Sequence, residues 1–155
     1  MLLMKRILLL VTLVICSSWA FSQSQITKGE RPPIDLERVP AEAYEQGKIQ
    51  IKLMPNMDKS IPDVTINASK SEYVVTGVNT LDELNKEFGA KQYKPLLDGM
   101  YEKSAKSTQY RERHKAWGFH LWFEVEVDSK ADVKEIIKKY SALAEVEIAE
   151  PVFKK

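Results

Sequence analysis

The chain has 155 residues, 23 Lys and Arg against 22 Asp and Glu, 44 % apolar residues and a single Cys. Ordinary apolar, Gly and Pro contents exclude a collagen-like, low-complexity or wholly disordered chain, and the balanced charge removes any general argument for nucleic-acid binding. A domain of this size hides roughly 65 to 70 % of its unfolded surface, enough to build a hydrophobic core.

Residues 1–22 read as a signal peptide. Lys5 and Arg6 form a basic start, Ile7 to Ile15 is apolar apart from Thr12, and Ala20-Phe21-Ser22 supplies the small-x-small pattern that a signal peptidase cleaves after. A spanning helix needs about 20 apolar residues, and this run first gives way to Cys16, Ser17 and Ser18, so removal after Ser22 is expected and no stable membrane anchor remains. The competing reading, lipidation of Cys16, puts Ile15 where a small residue is required. Cleavage takes the only Cys with it, which excludes disulfides and thiol chemistry from the mature chain, and the loss of Lys5 and Arg6 turns the net charge from +1 to −1. The product is expected outside the cytoplasm, in the periplasm or beyond the cell.

Residues 23–42 form a polar leader with a Pro32-Pro33 pair and no periodic apolar face. The domain proper is expected over residues 43–155. Lys48 to Leu53 alternates strictly, with Ile49, Ile51 and Leu53 on one face and Lys48, Gln50 and Lys52 on the other, and predicts a strand. Met54 to Gly77, broken by Pro55 and Pro62, reads as an insertion that includes a small hairpin. Asn79 or Thr80 caps a helix carrying Leu81, Leu84 and Phe88, with Asp82 and Glu83 in its first turn and Gly89 as its stop. Ala90 to Leu97 predicts a weak strand that Pro95 pushes towards an edge. Asp98 to Trp117 has mixed helical character, with basic Lys103, Lys106, Arg111, Arg113 and Lys115. Phe119 to Val127 predicts a central strand, with Phe119, Leu121, Phe123, Val125 and Val127 facing the core and His120, Trp122, Glu124 and Glu126 facing out. Asp128 or Ser129 caps a second helix with Val133, Ile136, Ile137 and Tyr140, and Glu145 to Ala149 closes the domain as a short strand before Pro151.

This order is the split βαβ arrangement: an α+β, ferredoxin-like βαββαβ fold, with two helices on one face of an antiparallel sheet, plus insertions. In its 4-1-3-2 strand order the first strand lies between the third and the fourth, which sets Lys48 and Lys52 against Glu124, Glu126 and Glu147. Such pairs specify register, at roughly 0.2 to 1 kcal/mol each. Trp122 on the same outer face is either covered by the Met54 to Gly77 insertion or faces a partner.

The chemical inventory is small. It holds two His, His114 and His120, no Gly-x-Ser-x-Gly, no phosphate-binding glycine loop and no paired metal-ligand spacing, so catalysis, cofactors and metals have no candidates. A metal on His114, His120 and Glu124 would require two elements to converge. His120 reads as a surface histidine beside Glu124. The basic run Arg111 to Lys115, with Tyr110 and Trp117 nearby, is interrupted by Glu112 and reads as a solvated helix face. Asn67-Ala68-Ser69 forms a glycosylation sequon of three residues.

The path from KIQIKL (Lys48 to Leu53), through Thr80-Leu81-Asp82-Glu83-Leu84-Asn85 and Phe88-Gly89, to WGFHLWFEVEV (Trp117 to Val127) and the closing VEIAEPVFKK (Val146 to Lys155) resembles the N-terminal propeptide of exported bacterial subtilisin-like serine proteases. The resemblance covers about Val39 to Lys155. It implies a folding chaperone and inhibitor rather than an enzyme, with a subtilisin-like protease domain as partner, in cis within a longer precursor or in trans. It also implies that the outer sheet face around Trp122, Glu124, Glu126 and Glu147 packs on the protease. The tail Glu150, Pro151, Val152, Phe153, Lys154 and Lys155 would lie in the substrate cleft. The catalytic Asp, His and Ser of that family are not in this sequence, so the chain is expected to be either part of a longer protease precursor or a stand-alone inhibitor. The alternative is an exported ferredoxin-like ligand-binding or envelope-assembly module that uses Trp122 and the Tyr101 to Trp117 stretch. The tail discriminates: Val152 to Lys155 is extended and unpacked if directed at a protease, and folded back or paired within the sheet if the module is self-contained.

Overall fold

In the computed structural model, which describes residues 34–69, 71–98 and 107–155, the alternating Lys48 to Leu53 run lies inside a ten-residue strand, β1 (Tyr44–Leu53). Ile49, Ile51 and Leu53 are fully buried there, while Lys48, Gln50 and Lys52 are half-buried on the other face. The chain continues through β2 (Ile66–Asn67), α1 (Asn79–Glu87), β3 (Gln92–Pro95), α2 (Ser107–Ala116), β4 (Trp122–Glu126), α3 (Val133–Ser141) and β5 (Val146–Phe153). The fold is α+β: a five-stranded antiparallel sheet in the order β2-β3-β4-β1-β5, accompanied by three α-helices among the described residues. The signal-peptide residues, with the cleavage positions Ala20 and Ser22, lie outside the described residues, as do Tyr101, Lys103 and Lys106 of the basic stretch.

The periodicities explain the core. α3 has its apolar residues at i, i+3, i+4 and i+7, so Val133, Ile136, Ile137 and Tyr140 are all buried, against β1 and β5. Its N-cap is Asp132, whose carboxylate accepts from the Lys134 N–H, not Asp128 or Ser129; Asp128 instead caps a turn by accepting from the Lys130 N–H. α1 buries Leu81 and has no side-chain cap at Val78. Asp82 closes that end from within the helix, accepting from the Thr76 N–H and hydroxyl and the Gly77 N–H. Phe88 and Tyr140 meet with ring centroids 6.4 Å apart, so the two helices touch over one face of the sheet.

Two expected boundaries move, one edge placement changes, and the stretch of mixed helical character resolves into a helix. The strand predicted from Phe119 begins only at Trp122, because Gly118 at φ 75° starts a 3-10 turn, Phe119–Leu121, that leaves Phe119 37 % exposed. β3 is not the edge: the two residues of β2 pair with Tyr93 and Gln92, and only towards Pro95 is that side of β3 open, where a missing N–H costs nothing. The mixed stretch after Asp98 contains a third helix, α2, none of whose residues from Tyr110 onward is buried. Finally, the last strand does not stop at Ala149. It runs through Pro151, which an edge strand tolerates, to Phe153.

β1 is irregular near its start. Tyr44 opposes Phe153 while Ile49 opposes Pro151, so β1 carries extra residues between the two pairs, and Gly47 takes φ 77° there. A Cβ on Gly47 would sit 3.1 Å from the Ser129 Cα. Gly47→Ala is therefore expected to cost about 2 to 4 kcal/mol, from left-handed strain plus a backbone collision. Gly77→Ala, at φ 84° with nothing within 4 Å, carries the strain alone, about 1 to 2 kcal/mol. Thermal unfolding of the two variants side by side checks this; equal losses would count against the collision.

Candidate interaction surface

The outer sheet face is built from the second set of alternating residues. Lys48 opposes Glu126 and Lys52 opposes Trp122 across β1 and β4, and Gln50 opposes Glu150 across β1 and β5. Each of the two lysines set against Glu124, Glu126 and Glu147 finds one of them: Lys48 Nζ is 3.3 Å from Glu124, and Lys52 Nζ is 2.9 Å from Glu147. Lys48 also reaches Glu45 at 3.2 Å. Its ammonium pKa is pushed above the usual lysine value, first by that Glu45 hydrogen bond and then by the charge of Glu124. Lys52 and Glu147 are the more enclosed pair, with side chains 20 % and 13 % exposed. Glu126 is exposed, while Trp122 is half-buried in the middle of this face.

The C-terminal residues divide into a paired part and a short exposed end. Glu150 and Pro151 continue the regular β1 ladder, Phe153 opposes Tyr44 beyond the irregularity, and the Lys154 N–H donates to the Ala43 carbonyl at 2.9 Å. Phe153, Lys154 and Lys155 are nonetheless exposed, Phe153 at 47 %. Among the described residues β5 borders only β1, so its other side is the edge of the described sheet.

A second cluster joins elements that are distant in sequence. His120 does not stand beside Glu124: the 3-10 turn re-aims it, and its Nε2 lies 2.9 Å from Asp58 Oδ1. Lys115 reaches the same carboxylate at 3.5 Å, and Arg111 stands 3.9 Å from Asp63. Burial pushes the Asp63 carboxyl above the usual aspartate range, and Arg111 is the main charge holding it down. These contacts fasten α2 to the 55–63 segment. His114 goes elsewhere, packing edge-on against Phe119 at 5.6 Å and beside Trp117 at 6.2 Å. The two histidines and Glu124 are thus not brought together, and among the described residues no group of three His, Cys, Asp or Glu could hold a metal ion.

Next to this cluster lies an open cleft of about 500 Å³, lined by Lys52, Asp58, Glu112, Lys115, Trp117 and His120 among others. Sequence reasoning missed Asp58 and the cleft. The only local signal was the density of aromatic and basic residues from Tyr110 to Trp117. No helix among the described residues is long and apolar enough to cross a membrane. Comparison with known proteins finds no matching family model, no matching curated protein and no matching solved structure.

Proposed function

We propose that this chain is an exported, subtilase propeptide-like domain, a folding chaperone and inhibitor of a subtilisin-like serine protease, and that its topology is ferredoxin-like. The four longer strands, in the order β3-β4-β1-β5 with α1 and α3 as the two crossovers, support the topology. The observation that carries the function is the end of β5. It is an edge strand that leads to an exposed Phe153-Lys154-Lys155 segment, and the last pairing, Tyr44 with Phe153, is cut off from the regular ladder by the irregularity in β1. The propeptide reading requires residues beyond Pro151 to detach while Ile49 to Lys52 stay paired. A released extended segment adds to a protease cleft as a strand, with main-chain hydrogen bonds and alternate side chains in pockets, and the prefolded domain behind it limits the entropy lost. Trp122, Glu124, Glu126 and Glu147 would then face the protease surface. The role is one of binding and needs no cofactor.

By the tail criterion alone the second reading is favoured, because the tail is paired rather than unpacked. Phe153 pairs with Tyr44 and Lys154 bonds to Ala43, as expected for a self-contained ligand-binding or assembly module. Titrating residues 23–155 into subtilisin-family proteases, beside a version lacking Val152 to Lys155, separates the two. The propeptide reading expects inhibition with a Kd at or below about 1 μM that weakens at least about 100-fold without the tail. No inhibition of any subtilase, including one encoded beside this chain, would leave the self-contained module.

A further inference from the structure

Trp117 is 62 % exposed, more than any other large apolar side chain described. Burying such a ring is worth several kcal/mol, so an indole left this open yet held in place calls for a reason. It is held in place. Phe119 meets it edge to face with centroids 6.1 Å apart, and His114 packs beside it at 6.2 Å. Gly118, at φ 75°, turns the chain between the two aromatic residues. The helix that delivers Trp117 is fastened through Asp58 and Asp63, and none of its residues from Tyr110 onward is buried.

The cleft beside Trp117 has polar walls of both signs. Lys52 is matched by Glu147 at 2.9 Å, and Asp58 matches both Lys115 at 3.5 Å and His120 at 2.9 Å, while Glu112 adds a further carboxylate. An anionic ligand would have to displace carboxylates from these cations. A cationic one would sit among Lys52, Lys115 and His120. A neutral ligand pays neither electrostatic penalty, and it finds an aromatic platform beside closely spaced donors and acceptors. A pyranose ring has that complement: a C–H face that gains dispersion contact on an indole, and a rim of hydroxyls that both donate and accept. A cavity of about 500 Å³ has room for one or two such rings.

The geometry points to a saccharide-binding site in this cleft, with Trp117 as the stacking platform and Glu112, Lys115 and Asp58 addressing the hydroxyls. It does not rest on the protease reading and stands or falls separately. The test follows the backbone amide resonances of Glu112, Lys115, Gly118 and His120, which line the cleft and are present in every variant, in the full chain, with cellotriose, maltotriose and chitotriose as probes. At least one should give a saturable shift with a Kd between about 10 μM and a few mM. Trp117→Ala should weaken binding at least about tenfold and Glu112→Gln about threefold or more, with the unfolding midpoint of both variants close to the parent because both side chains are exposed. Binding of the trisaccharide and of its parent polymer assigns a polysaccharide chain, and binding of the trisaccharide alone assigns a free sugar. Three results would overturn the proposal: no saturable shift up to about 10 mM, affinity unchanged in Trp117→Ala, or argininamide occupying the site where the saccharides do not.

Discussion

Replacing Asn85 with alanine is expected to remove about 3 to 5 kcal/mol of stability, a large share of what holds a domain of this size together. Asn85 is fully buried on α1, and its carbonyl oxygen accepts from the Tyr93 hydroxyl at 2.6 Å and from the Tyr140 hydroxyl at 2.8 Å. Its amide donates to the Val74 carbonyl at 3.1 Å. One side chain therefore ties together the segment before α1, β3 and α3. Alanine leaves two hydroxyl donors and a carbonyl without partners, in a place water does not reach, and opens a cavity besides. Urea unfolding should show a lower midpoint with an unchanged slope. Asn85→Leu combined with Tyr93→Phe and Tyr140→Phe should recover part of the loss, because all but the Val74 carbonyl then lose their polar demand together. If the triple variant is no better than Asn85→Ala, packing rather than unsatisfied polarity is the cause.

The same network makes stability fall in alkali. Burial pushes the Tyr93 hydroxyl well above its ordinary pKa of 10.0, with neighbouring Tyr140 adding to the effect, and burial likewise raises Tyr140 far above that value. Below pH 10 both tyrosines are protonated in the folded and unfolded chains, and the full stability is present. Above it the unfolded chain releases protons that the folded chain keeps, so stability declines as pH rises, by about 1.4 kcal/mol per pH unit for each tyrosine and about 2.7 for the pair. Urea titrations at a series of pH values from about 9 to about 11.5, the span over which the difference develops, measure that slope. Lys48 and Lys139, whose pKa values are raised by carboxylate partners, lose stability in the same direction. The comparison is therefore with the Tyr93→Phe, Tyr140→Phe protein, which keeps both lysines and should lose most of the slope. Parallel curves for the two proteins would place the alkaline loss outside the network.

Much of this fold is legible in the sequence, because a strand or helix with one buried face writes its period into the chain. Ile49, Ile51 and Leu53 alternate, Val133, Ile136, Ile137 and Tyr140 recur helically, and of the apolar residues expected in the core Leu84 is half-buried and Phe119 exposed. Phe119 continues the same alternation as Phe123 and Val125, and nothing in the pattern distinguishes it. Only the left-handed turn at Gly118 takes it out of the strand. β2 is two residues long, too short for any period to register. Asn85 looks like one more polar residue between Leu84 and Lys86, since its value comes from two tyrosines on other elements. The same holds for the proposed interaction surface: the Lys48–Glu124 and Lys52–Glu147 pairs follow from alternation plus strand order, whereas the Asp58–His120 contact joins segments that only the folded chain brings together. Pro151 looks locally like the end of a strand, and only its edge position lets the strand continue.

The way α2 is fastened divides the molecule by ionic strength. Its attachments through Asp58 and Asp63 are charge pairs with half-open side chains, while the sheet and the other two helices are held chiefly by apolar contact and the buried Asn85 network. The screening length shrinks from about 8 Å in physiological salt to about 3 Å at 1 M, which weakens the first kind of bond and leaves the second nearly untouched. Salt thus acts on the aromatic corner around Trp117 selectively, loosening it from a core that does not feel the change.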